Sequence, residues 1–138
     1  MKAVVDANVV VSGFINPHGP PGRVMRLFLD RRAFDWVITS EIAAEYRRSL
    51  VYPRVQKTLG LGPEYRTRLE RLLKLADWTE DFALPGSVPS DPSDEKYLGA
   101  AVSGRAEVVV SGDTDLLQLG RYEGIRIMKP AVFLKELP

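Results

Sequence analysis

Short runs that are apolar on both faces, spaced between helical patterns, constrain this chain most. Lys2-Ala3-Val4-Val5 closes on Asp6, Trp36-Val37-Ile38-Thr39 repeats the pattern, Val108-Val109-Val110-Ser111 is the clearest case, and residues 125–128 are the last. A strand without a polar face must be covered on both sides, as in a parallel sheet between helices. Helical patterns fill the intervals. Residues 23–31 carry Val24, Leu27 and Phe28 on one face, Ser40 is a candidate N-cap for a helix reaching about Leu50, and residues 64–75 are striped by Leu69, Leu72 and Leu73. Further helices are expected at residues 94–103, 114–119 and 131–137. Residues 19–22 and 84–93 read as loops, Pro53 as the stop of the helix after Ser40, residues 60–63 as a break, and residues 78–82 as a short edge strand. The expected class is α/β: a three-layer α/β/α sandwich with a mostly parallel five-stranded sheet. At 138 residues, one domain spanning 1–138 is expected.

Composition removes whole classes of chemistry. With no cysteine there is no disulfide scaffold, thiolate zinc site, iron–sulfur cluster or cysteine nucleophile. The single histidine, His18, excludes multi-histidine metal sites, and beside a proline in a loop it reads as incidental. No apolar run approaches a membrane span and the N-terminus has no leader pattern, so a cytoplasmic protein without a membrane partner is expected. Net charge is +1, but its distribution is uneven. Residues 47–74 hold eight basic side chains against Glu64 and Glu70, whereas residues 77–95 hold six acids and no base. Such segregation creates local fields that the total conceals.

In open α/β sheets the functional crevice lies outside the carboxyl ends of the strands, and acids gather there. Asp6 ends the first strand, Glu45 lies on the helix leaving the second, Asp94 opens the helix leading into the fourth, and Asp113 and Asp115 follow that strand. Each has an ordinary structural reading as well. Asp113 suits the N-cap of the helix at Thr114, Asp115 a first-turn acid, and Asp91 before Pro92 a cap. Glu45 flanks the stripe of Ile42, Tyr46 and Leu50, where a surface glutamate is normal. Asp94 shares a helical face with Leu98 and Ala101, and Asp6 follows three apolar residues, so these two are hardest to place at the surface. Two carboxylates about 4 Å apart repel by roughly 4 kcal/mol at an effective dielectric near 20. A cluster therefore takes up protons or holds a cation. Oxygen ligands select hard ions, Mg²⁺ or Mn²⁺, which suit phosphodiester hydrolysis.

With these residues in view, the sequence resembles the PIN-domain ribonucleases, among them the VapC-type toxins of toxin–antitoxin pairs. Val5-Asp6-Ala7-Asn8 resembles the first motif, D-x-N; Glu45 resembles the second acid; Asp94, ahead of Lys96-Tyr97-Leu98, matches the third; and Ser111-Gly112-Asp113-Thr114-Asp115 resembles the closing motif. Gly19-Pro20-Pro21 and the stretch from Met128 to Leu134, with Lys129-Pro130-Ala131, resemble one bacterial and archaeal branch described as toxin components. For the third acid, Asp91, Asp94 and Glu95 compete, and Asp94 is preferred.

The resemblance implies metal-dependent cleavage of RNA in an acidic pocket that binds Mg²⁺ or Mn²⁺. It implies Asp6, Glu45, Asp94 and Asp113 as the catalytic set and Asp6, Asp94, Asp113 and Asp115 as metal ligands, with Glu45 either holding metal or orienting the attacking water. Asn8 and Ser111 would position the carboxylates by hydrogen bonds. It further implies a toxin with a cognate antitoxin and a homodimer. Arg47, Arg48 and Arg54 are candidate contacts for the RNA backbone, and Tyr46, Tyr52 and Tyr65 for stacking on splayed bases, against the reading of solvated helix faces and core tyrosines.

Two rivals use the same residues differently. A phosphorelay receiver also ends its first strand in Asp and has Lys-Pro after its fifth, as at Lys129-Pro130. Ala7, however, stands where an acidic neighbour of Asp6 is expected, and Trp78-Thr79-Glu80-Asp81 is too polar for a central strand. The other rival is a catalytically silent PIN scaffold that binds a protein partner, which the intact acid set disfavours.

Overall fold

The computed structural model describes residues 1–59 and 64–138, so the expected break at residues 60–63 lies outside the described residues. Strands β1 (Lys2–Val5), β2 (Asp35–Ile38), β3 (Asp77–Trp78), β4 (Val108–Val110), β5 (Arg121–Tyr122) and β6 (Ile125–Met128) form one sheet in the order β3-β2-β1-β4-β6-β5. Every pairing is parallel except β5 with β6. Helices α1 (Ala7–Ile15), α2 (Pro20–Arg31), α3 (Ser40–Val51), α4 (Pro53–Leu59), α5 (Glu64–Leu75), α6 (Glu95–Ser103), α7 (Thr114–Leu119) and α8 (Pro130–Glu136) flank it. This is the expected α/β architecture with six strands rather than five. The sixth comes from a tight hairpin, in which Glu123 and Gly124 both take positive φ (48° and 83°) and return the chain from β5 to β6.

β1 and β4 are neighbours at the centre, in the register Ala3↔Val108 to Val5↔Val110. The first three strands progress outward on one side and the later ones on the other. The winding reverses between β1 and β4, which opens a crevice at their carboxyl ends. The same order excludes a receiver, whose third strand lies between the first and the fourth.

Several local expectations are corrected. Residues 7–15, for which no element was expected, form α1 although Val9-Val10-Val11 is a β-branched run with poor helix propensity. The Asp6 side chain caps this helix, and burial of Val9 and Val10 outweighs propensity. A Cβ on Gly13 would meet Met25 Sδ at 2.4 Å and the Pro21 carbonyl oxygen at 3.1 Å, so α1 and α2 cross closely there. Pro20 and Pro21 belong to the first turn of α2 rather than to a loop, and Pro53 opens α4. Proline lacks only an N–H that is unpaired in a first turn anyway. Thr39, not Ser40, caps α3, its hydroxyl accepting from Ile42 N at 3.2 Å. The edge strand ends at Trp78; beyond it the polar Asp81 instead accepts from Glu41 N at 3.3 Å.

Trp36, wholly buried on β2, packs on Phe28, Phe34 and Tyr46 and donates from Nε1 to the Tyr46 hydroxyl at 3.1 Å. Tyr46 in turn donates to the carbonyl of Val5. Through this chain α3 is tied to the carboxyl end of β1, which places Glu45 beside the crevice.

Candidate active site

At the switch point Asp6 and Ser111 meet across the β1–β4 pair. Asp6 is 4% exposed; its Oδ2 accepts from Ser111 Oγ at 2.6 Å and its Oδ1 from Asn8 N at 3.2 Å. Burial raises its pKa, and the Ser111 hydroxyl and Asn8 amide oppose that rise. Ser111 Oγ also accepts from Asp113 N at 2.9 Å, which ties the loop after β4 to the end of β1. Asp113 both caps α7, accepting from Asp115 N at 2.7 Å, and lines the crevice. The capping and functional readings of Asp113 are therefore compatible.

One carboxylate oxygen each from Asp91, Asp94, Asp113 and Asp115 lie within 4.8 Å of one another. Asp94, 6% exposed, sits at the end of a short 3₁₀ turn (Pro92–Asp94) that leads into α6. Its Oδ2 is buried without a hydrogen-bond partner among the described residues. Burial pushes its pKa up to about 7, and the charges of Asp6, Asp113 and Asp91 add to the rise. Asp91 caps the 3₁₀ turn through Ser93 N (3.1 Å) and Ser93 Oγ (2.6 Å), and the Ser93 hydroxyl holds its pKa below the ordinary value. Of the three competitors for the third acid, Asp94 and Asp91 both reach the cluster. Glu95 instead accepts from Val88 N at 3.4 Å.

Glu45 lines the same cleft, of about 330 Å³, but stands outside the four-aspartate group. Tyr97 donates to its Oε1, and Lys96 forms an ion pair with its Oε2. The Tyr97 hydroxyl also accepts from Ala7 N at 3.1 Å, joining α6 to the start of α1. Burial and the nearby Asp6 and Glu45 charges raise the Tyr97 pKa, so it remains a donor. Neither Lys96 nor Tyr97 was assigned a role from sequence, where they appeared only as the residues after Asp94. The available signal was the three-residue spacing that sets Tyr97 on the face of Asp94.

The other expected residues separate. Asn8 reaches Asp6 through its backbone, while its side chain is exposed. Arg54 and the half-exposed Tyr52 line the cleft. Arg47 pairs with Glu70 at 3.4 Å in a different groove, and Arg48 is exposed and lines neither. Tyr46 and Tyr65 are buried, so neither offers a face for stacking.

An orphaned buried carboxylate oxygen among three other carboxylates fits a hard divalent cation: all four side chains offer oxygen donors, and a bound ion would pair Asp94 Oδ2.

The family model described as PIN domain matches residues 2–115. The chain is 28% identical over 122 residues to the uncharacterized protein MJ1680 of Methanocaldococcus jannaschii, covering 86% of this chain and 75% of that protein. Its fold is similar to the crystal structure of PAE2754 from Pyrobaculum aerophilum, with a TM-score of 0.62 and 17% identity over 98% of this chain and 88% of that one. The chain belongs to the PIN-domain family, a family of nucleases whose members use divalent metals. No helix among the described residues is long and apolar enough to cross a membrane.

Proposed function

We propose that this protein is an Mg²⁺- or Mn²⁺-dependent endoribonuclease that hydrolyses RNA phosphodiester bonds, acting as the toxin of a toxin–antitoxin pair. The observation that carries the reading is the unpartnered Asp94 Oδ2 within the four-aspartate group at the sheet's switch point. Asp94, Asp113 and Asp115 would hold the ion, with Asp91 closing the group; Asp6, also expected as a ligand, stands outside that group and would add charge from the floor. The bound cation supplies Lewis acidity toward a phosphodiester. Asp6, pinned by Ser111 and Asn8, keeps the floor of the cleft rigid. Glu45, immobilised by Tyr97 and Lys96, is suited to accept a hydrogen bond from the attacking water and so to orient it. Arg54 at the rim supplies a positive charge for the RNA backbone.

The antitoxin and the homodimer rest on the likeness to VapC-type toxins, and the choice of RNA over DNA rests on the same likeness. The test is a gel assay of single-stranded RNA, structured RNA and single-stranded DNA with Mn²⁺ and with EDTA, run beside Asp113→Asn. That variant keeps an oxygen to cap α7 but loses a charge. Cleavage of RNA alone, dependent on Mn²⁺ and lost in a folded Asp113→Asn protein, is the expected result. Retained cleavage in the variant would reduce Asp113 to a helix cap and sink the reading.

A further inference from the structure

Two stretches singled out in the sequence, Gly19-Pro20-Pro21 and Lys129-Pro130-Ala131, have no part in the acidic cleft. The structure brings them together. Pro20 and Pro21 from the start of α2 face Lys129, Pro130 and Ala131 from the start of α8 across a groove of about 370 Å³. Asn8 and Ser12 of α1 line both this groove and the acidic cleft, so the two hollows adjoin along α1. We propose that the groove is a nucleotide subsite, which takes the base and sugar next to the scissile phosphate of a single-stranded RNA, with Lys129 meeting the adjoining phosphate. This rests on the ribonuclease reading and deepens it.

The argument is one of complementarity. Against the single basic residue Arg54 the cleft presents the carboxylates of Asp6, Glu45, Asp91, Asp94 and Asp113, which repel a polyanion except where a cation intervenes, so further affinity for RNA has to come from beside it. The groove supplies what the cleft lacks. Its walls are mostly apolar, its volume falls in the range of small-molecule sites, and Lys129 is its only charged lining residue among the described residues. Lys129 is exposed and has no carboxylate within 4.0 Å among the described residues. The accessible rings of Pro20 and Pro21 are rigid surfaces that lose little entropy on binding, suited to the flat face of an unstacked base, while Pro130 is buried beneath the groove. Asn8, exposed between the two hollows, has a side-chain amide able to pair with a base edge or a sugar hydroxyl. Lys129 is also free of structural duty, because its side chain makes no cap hydrogen bond to α8.

The deciding experiment uses the whole protein and adenosine 5′-monophosphate as probe, followed by amide NMR without added metal, so that it does not depend on turnover. Saturable shifts at Gly112 and Ala131 are expected, weakened about tenfold or more in Lys129→Glu, the scale of a lost hydrogen bond to a charged group. Shifts that are absent, or insensitive to Lys129→Glu, overturn the subsite. A second variant, Ala131→Trp, fills the groove without altering a charge and should block the probe. If it instead leaves probe binding intact and changes the sedimentation of the protein, the groove is an interface between copies and the proposal fails. The two readings fail separately. Lys129-dependent nucleotide binding in a protein that cleaves no RNA overturns the nuclease and keeps the subsite; RNA cleavage with an unchanged KM in Lys129→Glu does the reverse.

Discussion

Replacing Asp94 by Asn should stabilise the metal-free protein at alkaline pH, against the usual expectation for a buried polar residue. In the folded chain Asp94 keeps its proton up to about 7, whereas the ordinary value is 3.8. Between those limits the folded state binds the proton and the unfolded state does not, so stability falls as pH rises through the window and levels off above it. The interval corresponds to about 4 kcal/mol when Asp94 is fully ionised in the fold. Solvent at the open mouth of the cleft screens part of it, leaving about 2 kcal/mol. Asparagine carries no charge and escapes that cost. Denaturant unfolding in EDTA should therefore show the variant more stable by about 2 kcal/mol near pH 8, with less than half that gap near pH 5. Mn²⁺ should reverse the order at pH 8, since it binds the ionised cluster of the folded wild type and loses a ligand in the variant. A variant less stable than wild type at pH 8 in EDTA, or a gap that does not change with pH, would refute the reasoning.

Other perturbations separate roles that share this small region. Tyr97→Phe leaves the Ala7 N–H without its acceptor and Glu45 Oε1 without the Tyr97 donor, with only Lys96 still holding the carboxylate, and should cost about 1–3 kcal/mol in urea unfolding; an unchanged midpoint would remove Tyr97 from the frame of the site. Arg54→Ala should flatten the dependence of log RNA affinity on log salt by about 0.7, while Arg47→Ala, remote from the cleft, should leave the slope alone. Filter binding over a salt series checks both, and equal slopes would take Arg54 off the substrate path. Gly99→Ala would set a Cβ 1.8 Å from the carbonyl oxygen of Phe82 and should cost about 3 kcal/mol, read as a lowered thermal midpoint.

The central strands were legible because burial on both faces leaves a continuous apolar run; of the five acids named near the strand ends, Asp94, Asp113 and Asp115 meet in the four-aspartate group, while Asp6 and Glu45 line the cleft outside it. What escaped reading was decided by tertiary context. The valine run of α1 reads as β-branched until Asp6 caps it, and the prolines at 20, 21 and 53 read as breaks because a first turn and a loop look alike in one dimension. The arginines illustrate a different limit. Arg47, Arg48 and Arg54 are close in sequence, but the end of α3 and the start of α4 fall between the second and the third, sending Arg54 alone to the cleft. Asp91 was correctly read as a cap, yet nothing in its sequence context showed that the capped turn folds back over Asp113 and Asp115.

With β1 at the centre of the sheet, assembly of the site waits for a strand far along the chain. A chain emerging from its N-terminus pairs one edge of β1 once residue 38 is free, but the other edge waits for residues 108–110. Until then Asp6 has no Ser111 hydroxyl, and Asp113 and Asp115 have not been made. No product that stops before residue 115 carries the complete acid set, however well its first half folds. For a protein proposed to cut RNA this ordering is protective: the cutting site cannot exist until the segment carrying its last acids has been made.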